Sequence, residues 1–285
     1  MIHATQPIGV FDSGIGGLSV LQALRQTLPH ERFVYLADSA HAPYGEKTDA
    51  EVQTRTLAVT RHLVEQHAIK ALVVACNTAT AAAIHTVREQ YPDLIVVGLE
   101  PALKPALLAT TTGRIGVMAT RGTVSSQKFA KLLSGLQEQA EFVVCACDGL
   151  ALAIEQSTRS AHAHTAPAHI HELLLRYTAS LGPWGAEPGQ TDTLVLGCTH
   201  YVFAHDELQQ MVGPQVRLIH TGDAVAVHTL RRLSEAGGLA PSDACEPSGH
   251  DITLLTTGDE ASLRAAAQRW LGLPAACCHH TEVVG

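Results

Sequence analysis

Nine short runs of apolar residues recur along the 285-residue chain, and most stop at a small, glycine or polar residue. Several are nearly continuous in apolar residues, which is typical of strands buried on both faces of a parallel sheet. Amphipathic stretches of helical length separate them. The pattern predicts an α/β protein with strands at residues 8–11, 33–37, 71–75, 94–98, 115–119, 142–146, 193–197, 216–219 and 252–256.

Two features of the sequence occur twice, in the same order. "IGVFDSGIGG" at residue 8 is similar to "IGVMATRGTV" at residue 115, and both Cys76 and Cys198 follow an apolar run and precede polar residues. Such duplication favours two similar α/β domains. In parallel α/β sheets the ligand site lies beyond the carboxyl ends of the strands. We therefore expect two parallel-sheet cores that face each other across an active-site cleft, with one cysteine on each side.

The late strands set the expected domain boundaries. The strands at 216–219 and 252–256 need a sheet to join, and the first half of the chain is otherwise short. We therefore expect a first domain built from residues 1–98 and 212–285, and a second domain built from residues 99–211.

Composition restricts the partners of the chain. The net charge is −8 and no Lys/Arg cluster occurs, which argues against nucleic-acid and anionic-membrane partners. No apolar run approaches the ~18 residues of a membrane span, and the N-terminus lacks a secretory pattern. We expect a cytoplasmic protein with a small polar substrate. The sequence leaves the oligomeric state open, a homodimer included.

The cysteine count is odd, and two cysteines stand in "CCHHTE" at residues 277–282. Adjacent cysteines lack the spacing of zinc ligands, so we expect no metal there. Seven scattered cysteines without a secretory signal are typical of reduced thiols rather than disulfides. The sequence does not indicate what this C-terminal stretch does.

Two thiols that face each other suit one chemistry well. Inverting a stereocentre at carbon needs a base on one face and an acid on the other. A free cysteine ionises near pH ~8.5, and a helix N-terminus or a nearby histidine would favour its thiolate. Cys76 and Cys198 both lie at predicted strand-to-helix turns, where backbone amides are exposed.

The motifs around these cysteines are similar to those of a known enzyme family. "GVFDSGIGGLSVL", "ADSAHAPYGEKT", "VVACNTATA", "GVMATRGTV" and "VLGCTHY" occur in the order found in glutamate racemases, and residues 8–203 resemble the aspartate/glutamate racemase superfamily. The resemblance implies interconversion of L- and D-glutamate without a cofactor, which supplies D-glutamate for peptidoglycan. It also implies two α/β domains with the active site between them.

The same resemblance assigns roles residue by residue. Cys76 and Cys198 are implied as the catalytic thiols, with Cys76 toward the D-isomer and Cys198 toward the L-isomer, and Asp12 and His200 are implied to assist them. The residues implied to bind substrate are Asp12, Ser13, Tyr44, Gly45, Asn77, Thr78, Thr199 and His200. Glu155 ends a family pattern whose two prolines are replaced here. An exposed position on an amphipathic helix explains Glu155 almost equally well.

Alternatives to glutamate racemisation stay open. Aspartate or another amino acid is the nearest rival substrate, and a non-catalytic two-lobed amino-acid-binding protein shares the architecture but has no need for two thiols. "DSGIGGLS" lacks the G-x-G-x-x-G of dinucleotide-binding folds. No lysine falls in the strand-end loops, which disfavours pyridoxal phosphate. His41 and Val202 stand where the family commonly has arginine and proline.

Overall fold

The computed structural model describes residues 3–158, 165–241 and 252–284. The strands in these ranges are β1 (Ile8–Asp12), β2 (Phe33–Ala37), β3 (Ala71–Val74), β4 (Ile95–Gly98), β5 (Arg114–Ala119), β6 (Glu141–Ala146), β7 (Thr193–Gly197), β8 (Arg217–Ile219), β9 (Ile252–Thr256) and β10 (Cys278–His280). The α-helices are α1 (Leu18–Thr27), α2 (Asp49–His67), α3 (Asn77–Gln90), α4 (Leu103–Ala109), α5 (Arg121–Val124), α6 (Gln127–Ser134), α7 (Leu150–Gln156), α8 (Ala166–Leu181), α9 (His205–Val212), α10 (Gly222–Glu235) and α11 (Glu260–Leu271). All nine predicted strands are confirmed, and β10 is an addition.

The described strands form two sheets with related topology. One sheet has the order β10-β9-β2-β1-β3-β4, and the other has the order β6-β5-β7-β8. Every pairing within them is parallel. The order β2-β1-β3-β4 therefore recurs as β6-β5-β7-β8, so that β1 corresponds to β5 and β3 to β7. This confirms the expectation of two similar α/β halves with parallel-sheet cores.

The boundary between the two halves differs from the expected one. The chain divides into one compact unit of Met1–Leu99 with Gly222–Gly285 and a second of Glu100–Thr221. β8 pairs with β7, where Arg217 is the partner of Thr193, so assigning residues 212–221 to the first domain was wrong. The reason is topological, because β8 occupies the place beside β7 that β4 occupies beside β3.

The sheet of the first unit buries both of its faces. Phe11 and Val74 belong to an apolar cluster with side chains of α2 and α3. Because successive strand residues point to opposite faces, Val10 and Tyr35 lie on the other side, and both are completely buried. Gly17, just before α1, lies against the Tyr35 ring. Burial on both faces explains why these strands are apolar throughout.

The longest described helix, α2, has strong local end signals. Thr48 and Glu51 form a reciprocal capping box at its start, with the Thr48 amide donating to Glu51 Oε2 at 2.9 Å. The helix stops at Ala68, which adopts a left-handed conformation with φ of 48°. None of the described helices, α2 included, combines the length and hydropathy needed to cross a membrane.

The C-terminal Cys-Cys-His-His stretch is an edge strand. β10 runs parallel to β9, with Cys278 paired to Leu254 and His280 to Thr256. Cys278 is fully buried, whereas the two histidines are exposed. The stretch therefore extends the first sheet, a role that its short length concealed in the sequence.

Gly17 offers a test of the packing that holds the first strand-end loop. A β-carbon added at Gly17 would lie 2.5 Å from the Asp12 Cβ and 3.1 Å from the Tyr35 ring. We expect Gly17→Ala to destabilise the protein by about 1–3 kcal/mol through overpacking. In Gly135→Ala the nearest atom lies at 3.7 Å, so this control should change stability little. Thermal unfolding compares the two, and equal midpoints would contradict the packing argument.

Candidate active site

Parallel pairing brings three polar positions to one edge of the first sheet. Asp12 ends β1, while Asp38 and Cys76 come just after β2 and β3. The Asp38 amide donates to the Asp12 carbonyl at 3.0 Å, and the Ala75 amide donates to the Phe11 carbonyl at 2.7 Å. These bonds continue the ladder past the strand ends, so the three side chains are held on one rigid edge.

Cys76 occupies the N-terminus of α3. Its Sγ accepts a hydrogen bond from the Ala79 amide at 3.4 Å, which makes the thiol the helix N-cap. The Ser13 hydroxyl lies 3.8 Å from the same sulfur. Amides at a helix N-terminus carry partial positive charge and favour a thiolate over a thiol. Cys76 therefore has polar contacts at a helix N-terminus, unlike a cysteine that only fills an apolar core.

Asn77 follows Cys76 and has an unusual environment. Only 5% of the residue is exposed. Among the described residues, neither polar atom of its side chain has a hydrogen-bond partner. Buried amides are nearly always bonded, because an unpaired buried polar group is unfavourable. The Asn77 amide is therefore available to a ligand at this edge.

The Asp12 and Tyr44 side chains are held by short contacts. Asp12 Oδ1 accepts from the Gly14 amide at 2.8 Å, which closes an Asx turn. Tyr44 begins a 3₁₀ turn, Tyr44–Glu46, and donates its hydroxyl proton to Asp38 Oδ2 at 2.6 Å. Burial, and then the Asp38 charge, raise the pKa of Tyr44 far above its ordinary value. Tyr44 therefore stays protonated and remains a donor to Asp38.

The second unit carries a Cys-His-Glu chain of contacts. Cys198 follows β7 and precedes a 3₁₀ helix, Thr199–Ala204. Its Sγ lies 3.9 Å from His200 Nδ1, and His200 Nε2 lies 2.7 Å from Glu155 Oε2. All three residues are buried. Glu155 of α7 is therefore inside the unit, and the exposed-helix alternative is wrong.

The contacts among Cys198, His200 and Glu155 change the pKa of the histidine. Burial alone would lower the pKa of His200, but hydrogen bonds and charge interactions with Cys198 and Glu155 outweigh it and hold the pKa well above its ordinary value. At neutral pH His200 is then an imidazolium between a carboxylate and a thiol. The Cys198 sulfur lies 3.9 Å from this cation.

The predicted site residues are divided between the two units, and most of them end a strand or follow one closely; Tyr44 and Gly45 lie in the 3₁₀ turn after β2, and Glu155 lies in α7. The first unit holds Asp12, Ser13, Tyr44, Gly45, Cys76, Asn77 and Thr78. The second unit holds Glu155, Cys198, Thr199 and His200. All of these residues are buried.

Sequence reasoning missed several polar residues at the same edges. Asp38 accepts from Arg55 Nε and Nη2, each at 3.0 Å. Thr120 follows β5, in the position that corresponds to Ser13 after β1, and its Oγ1 lies 3.0 Å from Thr123 Oγ1. Asp38 and Thr120 could have been found from their position just after a predicted strand. Nothing in the sequence pairs Arg55 with Asp38.

The two departures from the family pattern also have defined places. His41 Nδ1 lies 3.1 Å from Asp38 Oδ1, so the histidine contacts the same carboxylate as Arg55. Val202 packs against the apolar cluster of the second unit. That cluster includes Cys198, so Val202 contributes to the packing around this thiol.

Comparisons with known proteins agree with this arrangement. A sequence model of the Asp/Glu/Hydantoin racemase family matches residues 8–229. Because this match spans most of the chain, the protein belongs to that family.

Several individual proteins that are similar to this chain in sequence and structure are glutamate racemases. The glutamate racemase of Stutzerimonas stutzeri is 46% identical over 246 residues, which cover 86% of this chain and 89% of that protein. The structure of a glutamate racemase isoform from Bacillus anthracis matches with a TM-score of 0.81 at 30% identity, over 99% of this chain and 98% of that one. The structure of Escherichia coli glutamate racemase with L-glutamate and the activator UDP-MurNAc-Ala matches with a TM-score of 0.80 at 29% identity, over 98% of this chain and 100% of that one. The resemblance predicted from the motifs is confirmed.

Glu155→Gln tests the electrostatics of His200. Removing the carboxylate charge should lower the pKa of His200, as read from an NMR titration of its ring nitrogens. A histidine whose folded-state pKa is raised contributes stability that is complete below its unfolded pKa of ~6.5 and is lost as pH rises through the folded value. The wild-type free energy of unfolding should therefore fall above pH ~6.5, and fall less in Glu155→Gln.

Glu207→Gln is a matched control, because Glu207 makes the exposed 2.7 Å pair with His171. It should leave the titration of His200 unchanged. An unaltered His200 pKa in Glu155→Gln would show that the 2.7 Å contact does not hold the proton.

Proposed function

We propose that this chain is a glutamate racemase that interconverts L- and D-glutamate and so supplies D-glutamate for peptidoglycan. One observation carries the mechanism: Cys76 and Cys198 follow β3 and β7, which are equivalent strands of the two sheets. Each thiol also has a polar neighbour of its own, the Ala79 amide at Cys76 and the His200 ring at Cys198. The proposed reaction uses side chains of this chain alone, without a cofactor.

Two proton transfers make up the proposed reaction. The thiolate of one cysteine takes the Cα proton of glutamate and becomes a thiol, and the electron pair left behind delocalises into the carboxylate. The thiol of the other cysteine then donates its proton to the opposite face of Cα and becomes a thiolate. The stereocentre is inverted and charge is conserved. For this, Cys76 and Cys198 must approach Cα from opposite faces, and we propose that they do.

The α3 N-terminus and the imidazolium have different proposed tasks. The Ala79 amide supports the thiolate of Cys76, and His200 supports the thiolate of Cys198. Glu155 acts through His200 and is a positioning residue. Asp12 is proposed to assist Cys76, from the edge that both share.

The remaining polar residues are proposed to hold the charged groups of the amino acid. Hydroxyls and amides at the two strand edges can bond an ammonium and a carboxylate without competing for the Cα proton. The proposed ligands are Ser13, Tyr44, Gly45, Asn77, Thr78, Thr199 and His200. Truncating a good hydrogen-bond partner of a charged group weakens binding by about 1–3 kcal/mol.

We also propose that the chain works in the cytoplasm. The mechanism needs both thiols reduced, which the cytosol maintains. The six cysteines in the described ranges are free thiols. A homodimer stays part of the proposal, and light scattering from the purified chain tests it.

The proposed reaction predicts a distinct behaviour of single cysteine variants. Purified protein offered L-glutamate should lose optical rotation without added cofactor, and should act on L-aspartate much more slowly. Cys76→Ser and Cys198→Ser should both abolish racemisation in both directions, because each direction uses both thiols. Neither variant loses the other thiol, so each should still remove a proton from one enantiomer.

An analogue with a leaving group on the atom next to Cα makes that single step visible, because elimination needs only the first proton transfer. From the family resemblance, Cys76→Ser should eliminate from the L-analogue and Cys198→Ser from the D-analogue. Undiminished racemisation in either variant would refute the two-thiol mechanism. Equal elimination from both analogues would refute only the facial assignment.

Asn77→Leu separates binding from stability. The leucine removes two buried polar atoms that lack partners among the described residues, so thermal unfolding should occur at the wild-type temperature or above. The KM for glutamate should rise about 10-fold or more through the lost hydrogen bonds. A wild-type KM would remove Asn77 from the substrate site, and a strongly lowered unfolding temperature would show that its amide has a structural partner.

A further inference from the structure

Asp38 is a buried carboxylate that accepts hydrogen bonds from residues far apart in the sequence. The residue is 0% exposed. Arg55 binds it with two parallel donors, and the hydroxyls of Tyr44 and Thr257 donate to it at 2.6 and 2.9 Å. Burial tends to raise the pKa of Asp38, but the hydrogen bonds from Arg55 and Tyr44 outweigh it and lower the pKa below its ordinary value. The carboxylate is therefore charged and fully bonded.

This carboxylate fixes the Tyr44–Glu46 turn. The Tyr44 ring is 1% exposed and meets the Phe11 ring edge-on, with centroids 6.0 Å apart. A buried ring that packs against Phe11 and bonds Asp38 through its hydroxyl has little freedom to move. The backbone of Tyr44 and Gly45 must follow the ring, and this backbone belongs to the proposed substrate site.

Arg55 has a third donor, which reaches the C-terminal segment at residues 278–284. Its Nη1 donates to the Val283 carbonyl at 3.3 Å, and only 12% of its side chain is exposed. The guanidinium fork can satisfy a carboxylate and a carbonyl at once, whereas an ammonium cannot copy that geometry. Arg55 therefore joins the C-terminal segment to Asp38.

The C-terminal segment is itself anchored in the first unit. Beyond β10, the Thr281 amide donates to the Thr256 carbonyl at 2.9 Å, and the Val283 side chain packs on the apolar cluster that includes Phe11 and Tyr44. Arg61 Nη2 donates to the Val284 carbonyl at 3.0 Å. The segment lies beyond residues 8–229, the part of the chain that the family model matches.

We propose that the C-terminal segment and Arg55 are positioning elements for substrate binding, which hold the Tyr44–Gly45 backbone in its binding geometry through Asp38. This rests on the proposed function, in which Tyr44 and Gly45 contact glutamate. Neither Arg55 nor the segment touches the reacting atoms, so their loss acts on affinity more than on the proton transfers. An unsatisfied Asp38 would draw the Tyr44 hydroxyl away from its place, and the turn would loosen.

Two variants and their combination test the proposal. Deleting residues 282–285 removes the Val283 carbonyl but keeps β10 and Thr281. Arg55→Lys keeps the charge and removes the fork. Each should raise the KM for glutamate in both directions by about 3- to 10-fold, with kcat changed by less than about 2-fold. Because both act through one contact, the deletion should add little in the Arg55→Lys background.

Arg61→Gln is the matched control, since Arg61 contacts the same segment but not Asp38. It should leave KM unchanged. Unchanged KM in the deletion variant, or effects that multiply fully in the double variant, would overturn the proposal. So would a drop in kcat equal to the rise in KM, which would indicate a general loss of structure.

Hydrogen exchange separates this proposal from the proposed function, because it needs no substrate. The Lys47 amide donates to the Tyr44 carbonyl at 3.1 Å and reports on the turn. Its exchange should be about 3-fold faster or more in the deletion variant and in Arg55→Lys, and unchanged in Arg61→Gln. If the wild type does not racemise glutamate, the proposed function is refuted. Hydrogen exchange of the Lys47 amide still shows, in that case, whether the C-terminal segment holds the Tyr44–Glu46 turn. Unaltered Lys47 exchange in both variants would overturn the inference.

Discussion

Parallel strand pairing is the constraint on which the rest of the structure depends. In a parallel ladder all carboxyl ends point one way, so residues that follow different strands meet at one edge. The pairing of β1 with β2 and β3 brings Asp12, Asp38 and Cys76 together although they are far apart in sequence. The same order of strands in the second sheet places Thr120 and Cys198 at its edge. Apolar burial on both faces makes these edges rigid, because a strand cannot slide without exposing its side chains.

Each of the two units contains a buried carboxylate that holds another polar side chain. In the first unit Asp38 holds Tyr44 and is neutralised by Arg55. In the second unit Glu155 holds His200 and is neutralised by it. A buried charge is tolerated only when it is paired and fully hydrogen-bonded, so each carboxylate fixes its partner firmly. The two thiols nevertheless have different neighbours: the Ala79 amide donates to the Cys76 sulfur, and the His200 ring lies beside the Cys198 sulfur.

Local patterns in the sequence predicted much of this, and long-range pairing explains what they missed. The nine apolar strands were predictable because burial on both faces leaves a continuous signal. The positions of Cys76 and Cys198 beyond β3 and β7 were predictable because each cysteine follows such an apolar run. Glu155 stayed ambiguous because its partner lies 45 residues away, and helical periodicity does not show which face is covered. β10 is three residues long and two of them are histidine, so it lacks the apolar run by which the other strands were recognised. The domain boundary was wrong because an isolated apolar run does not indicate which of two sheets it joins.

The unequal surroundings of the two thiols raise the question of how they serve a reaction that favours neither product. L- and D-glutamate have equal free energies in water, so the equilibrium constant of racemisation is one, and kcat/KM must be the same in both directions for the wild type and for every active variant. A change near Cys198 alone must therefore lower kcat/KM equally for both enantiomers, although kcat and KM can each shift differently on the two sides. Racemisation rates consequently cannot tell which thiol faces which enantiomer. Elimination from an analogue is irreversible and escapes this constraint, so only such a one-sided step can reveal the separate tasks of the α3 N-terminus and the His200 imidazolium.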